Sequence, residues 1–478
     1  MFNPTNNPAG TSVEASQKSR PQSTDHYALS FVLFATAVTA IGGFLFGYDT
    51  AVINGANNYI QAHMNLSTAQ EGAVAASAIL GCIPGALLAG FASDRWGRKR
   101  MLFLCALLFG TSSVLSALSI TFNQLVVARF IGGLGIGASS IICPVYIAEI
   151  SPPQWRGRLG SLFQLGIVIG IFITLWVNKV IHGLGDEAWN TTVGWRWMLG
   201  VGVVPAVFFL AMLFGVPESP RWLAQRGHET EARGILTRVG GDGFAAGELV
   251  AIRQAACEEE GKFSYLFSGP FRRPLLLAVA LMAFSQFCGI NAITYYSTKM
   301  FESAGESRDT AFMSTVWVGL ANFLFTFIAI AFVDKLGRRP LLLCGTAVQT
   351  VALALVGWSF QNSHNSAMLL GCLMLFKAAF AMAIGPIGWL FCAEIFPNKV
   401  RGRAMSVAGF TIWISCYVVA QTFPMLNDNP AIGPARTFWV YAIISLLSFV
   451  FVLAFVPETK GRTLEEIEKI WTVKKLSN

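Results

Sequence analysis

ASDRWGRKRM at residues 92–101 and FVDKLGRRPL at 332–341 decide how this chain is built. Asp94 is matched by Asp334 and Arg98 by Arg338, each 240 residues on. YIAEISPPQWRGR (146–158) and FCAEIFPNKVRGR (391–403) pair Glu149 with Glu394 and Arg156 with Arg401 at a spacing of 245. VPESPRW (216–222) and VPETKGR (456–462) pair Glu218 with Glu458, again at 240. Three pairs in one order at nearly one offset mean an internal duplication. Between these polar landmarks the chain is almost wholly apolar, so each copy reads as a set of membrane helices. Parallel repeats of this kind place a substrate site between the two halves, near the bilayer midplane.

The composition agrees. The 478 residues are 54% hydrophobic and only 13% charged, where a soluble domain carries about 25% charged residues. So few charges cannot cover a surface in water, but lipid asks for none. The 46 Gly and 38 Phe suit helices that approach closely and fill space with rings. With about 20 apolar residues needed per crossing, spans fall near 28–53, 72–92, 101–120, 124–147, 159–181, 196–216, 274–298, 311–333, 341–360, 367–391, 404–424 and 436–456. The expected fold is therefore an all-α membrane protein, with twelve transmembrane helices in two pseudo-symmetric six-helix bundles, 28–216 and 274–456. The polar stretch 217–273 reads as a linker carrying short amphipathic helices. Residues 1–27 read as a disordered polar tail and 457–478 as a polar C-terminal segment. Twelve crossings put both termini on one side, and 27 of the 34 Lys and Arg fall there. That bias marks the cytoplasmic face of a plasma (inner) membrane. The net charge of +8 is thus a topology signal and not a sign of nucleic-acid binding. Seven of the nine cysteines lie deep in apolar runs, Cys392 ends one, and Cys257 is in the linker. No CxxC pair occurs, so they read as packing residues, without metal, cofactor or disulfide.

Three charges lie well inside spans. Asp49 is about four residues from the outer end of span 1 and Arg129 about five from that of span 4, so both should sit roughly 6–8 Å below the outer interface. Charges at such depth pair or line a cavity. Lys377 is the third, ten residues into span 10 and too deep to snorkel. It should face a water-filled cavity or a polar seam, not lipid. GGLGIGASS at 132–140 lies inside an apolar span with no preceding strand. Close helix packing through Gly133 and Gly137 is expected there, not a dinucleotide loop. Gly42-Gly43 with Gly47, Gly289, and Gly385-Pro386 with Gly388 are candidate helix breaks. Asn65-Leu-Ser and Asn190-Thr-Thr fit glycosylation acceptors on the outer side, relevant only in a eukaryote.

The strings GGFLFGYDTAVING (42–55), PESPRWL (217–223), QFCGINAITYYS (286–297), GPIGWLFCAEIFP (385–397) and VPETKGRTLEEIE (456–468), with the paired loops, carry a resemblance. The chain resembles the major facilitator superfamily and, within it, the sugar porter family, over about residues 28–470. The resemblance implies that Asp49 takes up and releases a transported proton, with Arg129 holding it ionised until the two are separated. Proton-coupled members are similar in having Asp at that place, whereas passive animal facilitators have Asn. It also implies sugar contacts from Phe46, Gln164, Gln286, Asn291, Tyr295, Asn322, Trp389 and Trp413. Amides match sugar hydroxyls without charge, and rings meet the apolar face of the sugar. Ser285, Ile171 and Ile412 stand where relatives carry amides, which leaves the sugar open between hexose and pentose. The charges Asp94, Arg98, Glu149, Arg156, Glu218, Asp334, Arg338, Glu394, Arg401 and Glu458 are implied to hold the outward-facing state closed on the inside. A proton–monosaccharide symporter working as a monomer in the bilayer is the first reading. A passive sugar facilitator and a non-transporting sugar sensor are the alternatives. Sensors of the family have long cytoplasmic tails, and this chain ends about 20 residues after the last span. No catalytic constellation appears, so no enzyme is expected.

Overall fold

A segment in lipid must satisfy its backbone groups internally, and a single chain of apolar runs does so as α-helices. The computed structural model describes residues 28–257, 266–267, 271–362, 365–396 and 398–460, without the side chains of 255–257, 330–335 and 398–399. Among the described residues, twelve helices are long and apolar enough to cross a membrane. The first half comprises α1 (Leu29–Met64), α2 (Thr68–Trp96), α3 (Arg98–Leu118), α4 (Phe122–Ile150), α5 (Arg156–His182) and α6 (Glu187–Gly215). The second comprises α7 (Arg272–Ser303), α8 (Arg308–Leu336), α9 (Arg338–Gln361), α10 (Ser366–Glu394), α11 (Asn398–Asn427) and α12 (Gly433–Phe455). The linker forms Pro220–Gln225 and Glu229–Cys257, the latter kinked at Gly240 and Gly241. Leu223, Ala232, Leu236, Ala245, Leu249 and Ile252 give it a small core of its own. The tail 1–27 and residues 461–478 lie outside the described residues.

The duplication is visible in the packing. α2 lies on α4 and α1 on α5, as α8 lies on α10 and α7 on α11. The halves meet through α2 on α11 and, symmetrically, α5 on α8, while α1 also touches α7. Gly133 and Gly137 of α4 are the close-packing residues expected of them. A Cβ on Gly133 would sit 1.9 Å from the Ala78 carbonyl oxygen of α2, and one on Gly137 would sit 2.2 Å from that of Cys82.

Three expectations change. α1 runs on to Met64, eleven residues past the expected end at 53. The polar stretch Asn54–Asn58 looked like a loop, but its amides find partners on neighbouring helices. Asp49 is accordingly farther from the end of α1 than the four residues expected. Gly42, Gly43 and Gly47 do not break α1; a Cβ on Gly43 would lie 2.5 Å from the Phe163 carbonyl oxygen, and one on Gly47 2.0 Å from that of Ile167, so they seat α1 on α5. Asn190 is 1% exposed, with its amide bonded to the His182 and Gly185 carbonyls, so it presents no acceptor for a glycan. Breaks do occur at Gly289 (φ +87°), dividing α7, at Ala383, dividing α10 just before Gly385, and at Val201–Gly202 within α6.

The glycine contacts predict a sharp contrast. Gly133→Val should lower stability by about 1–3 kcal/mol through overpacking, whereas Gly90→Ala, with open space around it, should be neutral or slightly stabilising. Thermal unfolding in detergent reads both. Equal melting curves for the two variants would contradict the packing.

Candidate functional site

Arg129 is 2% exposed and Asp49 9%, so neither can rely on water and each must answer the other. Arg129 donates Nη1 to Asp49 Oδ1 at 2.8 Å and Nη2 to the Asp49 carbonyl at 3.1 Å. The expected pair thus forms, joining α1 to α4. It is not saturated: Asp49 Oδ2 and Arg129 Nε have no hydrogen-bond partner among the described residues.

Beside Arg129 lies a small cavity between the halves. Thr50, Cys82 and Ile136 line it from the first half, Tyr295 and Trp413 from the second. Phe46 meets Trp413 across the halves with ring centroids 5.9 Å apart. Asn291 donates to Gln286 Oε1 at 2.7 Å, and Gln286 donates to Ser285 Oγ at 2.9 Å, so these amides are pre-arranged around the α7 break. Tyr295 OH rests 3.8 Å from Cys416 Sγ. Gln164 and Trp389 are exposed, while Asn322 is buried in α8. Ile171 packs on the apolar cluster of Ala51, Leu175 and Val316, where an amide would find no partner in that cluster.

The repeated charges gather at the linker side, one cluster per half. Arg98 holds Glu149 in a bidentate pair at 3.0 and 3.1 Å and reaches Asp94 at 2.9 Å. Ser219 donates to Glu149 at 2.6 Å, and Glu218 accepts the Arg98 and Lys99 backbone N–H groups. The second half repeats the arrangement. Arg338 holds Glu394 at 2.9 Å, Thr459 donates to Glu394 at 2.6 Å, and Glu458 accepts the Arg338 and Arg339 N–H groups. Burial alone would push the Glu458 carboxyl up, but the backbone donors at 460, 338, 339 and 459 hold it below its usual range. Arg156 stands apart, 3.8 Å from Glu248 of the linker, and Arg401 donates to the Phe396 carbonyl. The Asp334 side chain lies outside the described residues. The Arg98–Glu149 and Arg338–Glu394 pairs each stay within one half.

On the far side the pattern reverses, and this the sequence reading missed. Lys299 of α7 binds Glu71 of α2 at 2.8 Å and Asp428 of its own half at 3.0 Å. Glu71 is fully buried and also accepts Asn57 Nδ2 at 2.5 Å. Asn54 of α1 donates to the Thr294 carbonyl at 2.7 Å and accepts from the Thr298 hydroxyl at 2.7 Å. Asn58 donates to Glu302 at 2.7 Å; Lys179 pairs with Asp309, and Arg308 with Glu187. The halves are stitched together here. Opposite charges near the far-side helix ends were visible in sequence, but Glu71 read as lying just outside span 2, and pairing across halves has no spacing signature.

Two six-helix halves, sealed on one side and enclosing a cavity beside a buried ion pair, define a membrane transporter. The chain matches the Sugar (and other) transporter family over residues 35–471 and belongs to it. It is 42% identical to the arabinose-proton symporter of Bacillus subtilis (strain 168), over 94% of this chain and 97% of that protein. It is 37% identical to the D-xylose-proton symporter of Escherichia coli (strain K12), over 93% and 96%. The inward open conformation of the xylose transporter XylE from E. coli superposes with a TM-score of 0.83 at 36% identity, covering 92% of this chain and 100% of that one. The structure of XylE bound to 6-bromo-6-deoxy-D-glucose gives 0.76 at 36% identity, covering 93% and 100%. The protein is an integral, multi-pass membrane transporter.

The far-side stitching makes a prediction. Lys299→Met leaves Glu71 buried without its cation, a change worth roughly 3–5 kcal/mol when a buried pair is broken. The far side should then open, and spin labels on the exposed loop positions Leu184 and Pro430 should move apart in a pulsed-dipolar distance measurement. An unchanged distance distribution would show that the pair does not hold the halves together.

Proposed function

We propose that the protein imports a monosaccharide, a hexose or a pentose, by proton symport through alternating access. The observation that carries this is the Asp49–Arg129 pair at the wall of the cavity that Tyr295 and Trp413 share. A group that binds a proton and groups that bind a sugar thereby stand in one compartment. The names of the relatives, symporters of arabinose and xylose with protons, support the same reading. The linker side, rich in Lys and Arg, is cytoplasmic on this reading, and both termini lie there, in a plasma (inner) membrane. The functional unit is the monomer, because each chain contains both halves of the site.

Asp49 is the proton carrier and Arg129 its counter-ion. Phe46, Gln164, Gln286, Asn291, Tyr295, Asn322, Trp389 and Trp413 make up the sugar site. The linker-side clusters bias the equilibrium between inward- and outward-facing states, since networks that differ between two states shift their populations even when each exposed pair is weak.

A membrane potential near 150 mV supplies roughly 3.5 kcal/mol per proton, enough for a few-hundred-fold sugar accumulation. Asp49→Asn should abolish accumulation in energised vesicles while leaving sugar counterflow. Accumulation by the unaltered protein that survives a protonophore would replace symport by another mode, and counterflow without accumulation would mean a passive facilitator. Gln164→Ala and Gln286→Ala should each weaken sugar binding by at least ~1 kcal/mol, because each strands a sugar hydroxyl. Titration calorimetry across a panel of pentoses and hexoses tests this and names the sugar; unaltered affinity in both variants would remove them from the site.

A further inference from the structure

Lys377 is 5% exposed, in the middle of α10. It lies in a polar seam between helices, as its depth demanded. An ammonium has three donors and no acceptor. Among the described residues its Nζ has one hydrogen-bond partner, the Thr294 hydroxyl oxygen at 2.6 Å, and no carboxylate pairs with it. A buried charge so sparsely answered is no aid to stability.

Its neighbours show what it holds. Thr294 lies in the outer part of α7, Ile290–Ser303, just beyond the break at Gly289. The Thr294 hydroxyl donates to the Ile290 carbonyl at 2.7 Å, which leaves its oxygen free to accept from Lys377. The Thr294 carbonyl accepts Asn54 Nδ2 from α1. Asn291 and Tyr295, three residues before it and one after it, face Gln286 and the cavity. One threonine thus joins α10, the first turn after the α7 break, and the first half.

The duplication supplies a second, independent observation. α4 carries Glu149 one residue before its end at Ile150, and α10 ends on Glu394, 245 residues later. Lys377 follows Arg129 by 248 residues, three residues from the position that the 245-residue offset gives. Arg129 ties α4 to α1, and Lys377 ties α10 to α7, the repeat of α1. Each half thus has a buried basic side chain that joins its fourth helix to its first.

We propose that Lys377 is a positioning residue, the second half's counterpart of Arg129. Through Thr294 it fixes the outer part of α7, so that Asn291 and Tyr295 face the sugar and Asn54 can close the outer gate. This rests on the sugar-transport reading for its first effect, but its second does not depend on any substrate. Lys377→Met and Thr294→Val should each raise the half-saturating sugar concentration in counterflow about tenfold. Each should also speed labelling of Cys82, a native cavity residue, by a membrane-impermeant thiol reagent added outside, identified by peptide mass spectrometry. The double variant should be no worse than either single one, because both remove one interaction. Thr294→Ser, which keeps the hydroxyl, should restore both readouts. Lys377→Met with unaltered affinity and labelling would overturn the proposal, as would effects that multiply in the double variant. If Lys377→Met does not assemble, Thr294→Val against Thr294→Ser decides alone: equal behaviour of the two overturns it. Should the unaltered protein exchange no sugar, the transport reading falls, while the labelling arm still judges Lys377.

Discussion

A bilayer offers no hydrogen-bond partner, and this constraint governs every polar feature of the protein. The breaks at Gly289 and Ala383 are both enclosed by protein. A side chain at Gly289 would strike the Tyr441 ring at 2.6 Å, and Ala383 lies against Gly345 of α9. Charged side chains obey the same rule. Arg129, Lys377 and Glu71 are all buried, and each is met by a residue on another helix. Polar groups in the membrane therefore mark seams between helices, and seams are where helices can part. The sites that matter for transport are where the constraint is hardest to meet.

The two faces of the protein meet it differently. On the linker side, Arg98–Glu149 and Arg338–Glu394 close upon their own halves, with Ser219 and Thr459 completing the same figure. On the far side, Lys299, Asn54 and Asn58 reach across. Contacts within a half persist when the halves rock, because each half moves as a packed body. Contacts between halves must break. Lys299 shows how this is made easier: it already holds Asp428 of its own half, so its ammonium keeps a carboxylate when Glu71 departs.

Much of this was legible in the chain. The offsets of 240 and 245 fixed two halves, and the runs of apolar residues fixed twelve helices, because lipid permits only one way of spanning it. Asp49 and Arg129 were legible as a pair because two lone charges at membrane depth have few other options. Gly133 and Gly137 were legible as packing residues from their spacing. The extension of α1 through Asn54, Asn57 and Asn58 was not, because an amide run reads as a loop until its partners are known. Glu71 escaped for the same reason, since its partner Lys299 is 228 residues away. The linker-side clusters were legible as a set, but not their division by halves. Arg156 and Arg401 repeat in sequence yet sit outside the two carboxylate clusters, so repetition identified the motif without assigning each member's contacts.

Coupling proton to sugar requires that each ligand change the other's affinity, and linkage makes that change reciprocal. Proximity alone does not provide it; the two must favour the same state of the protein. The arrangement of α1 offers a route. One helix carries Phe46 against Trp413, Asp49 against Arg129 and Asn54 against Thr294. In the proposed transport cycle these are a sugar-site ring, the proton carrier and the outer gate, all within residues 46–54 of an unbroken 36-residue helix. Gly43 and Gly47 seat that helix so closely on α5 that it has little freedom to bend against its own half. A displacement of α1 at Asn54 is therefore not taken up by a bend at Gly42, Gly43 or Gly47, because the helix is continuous there. A helix broken at Gly42, as first expected, would have absorbed it.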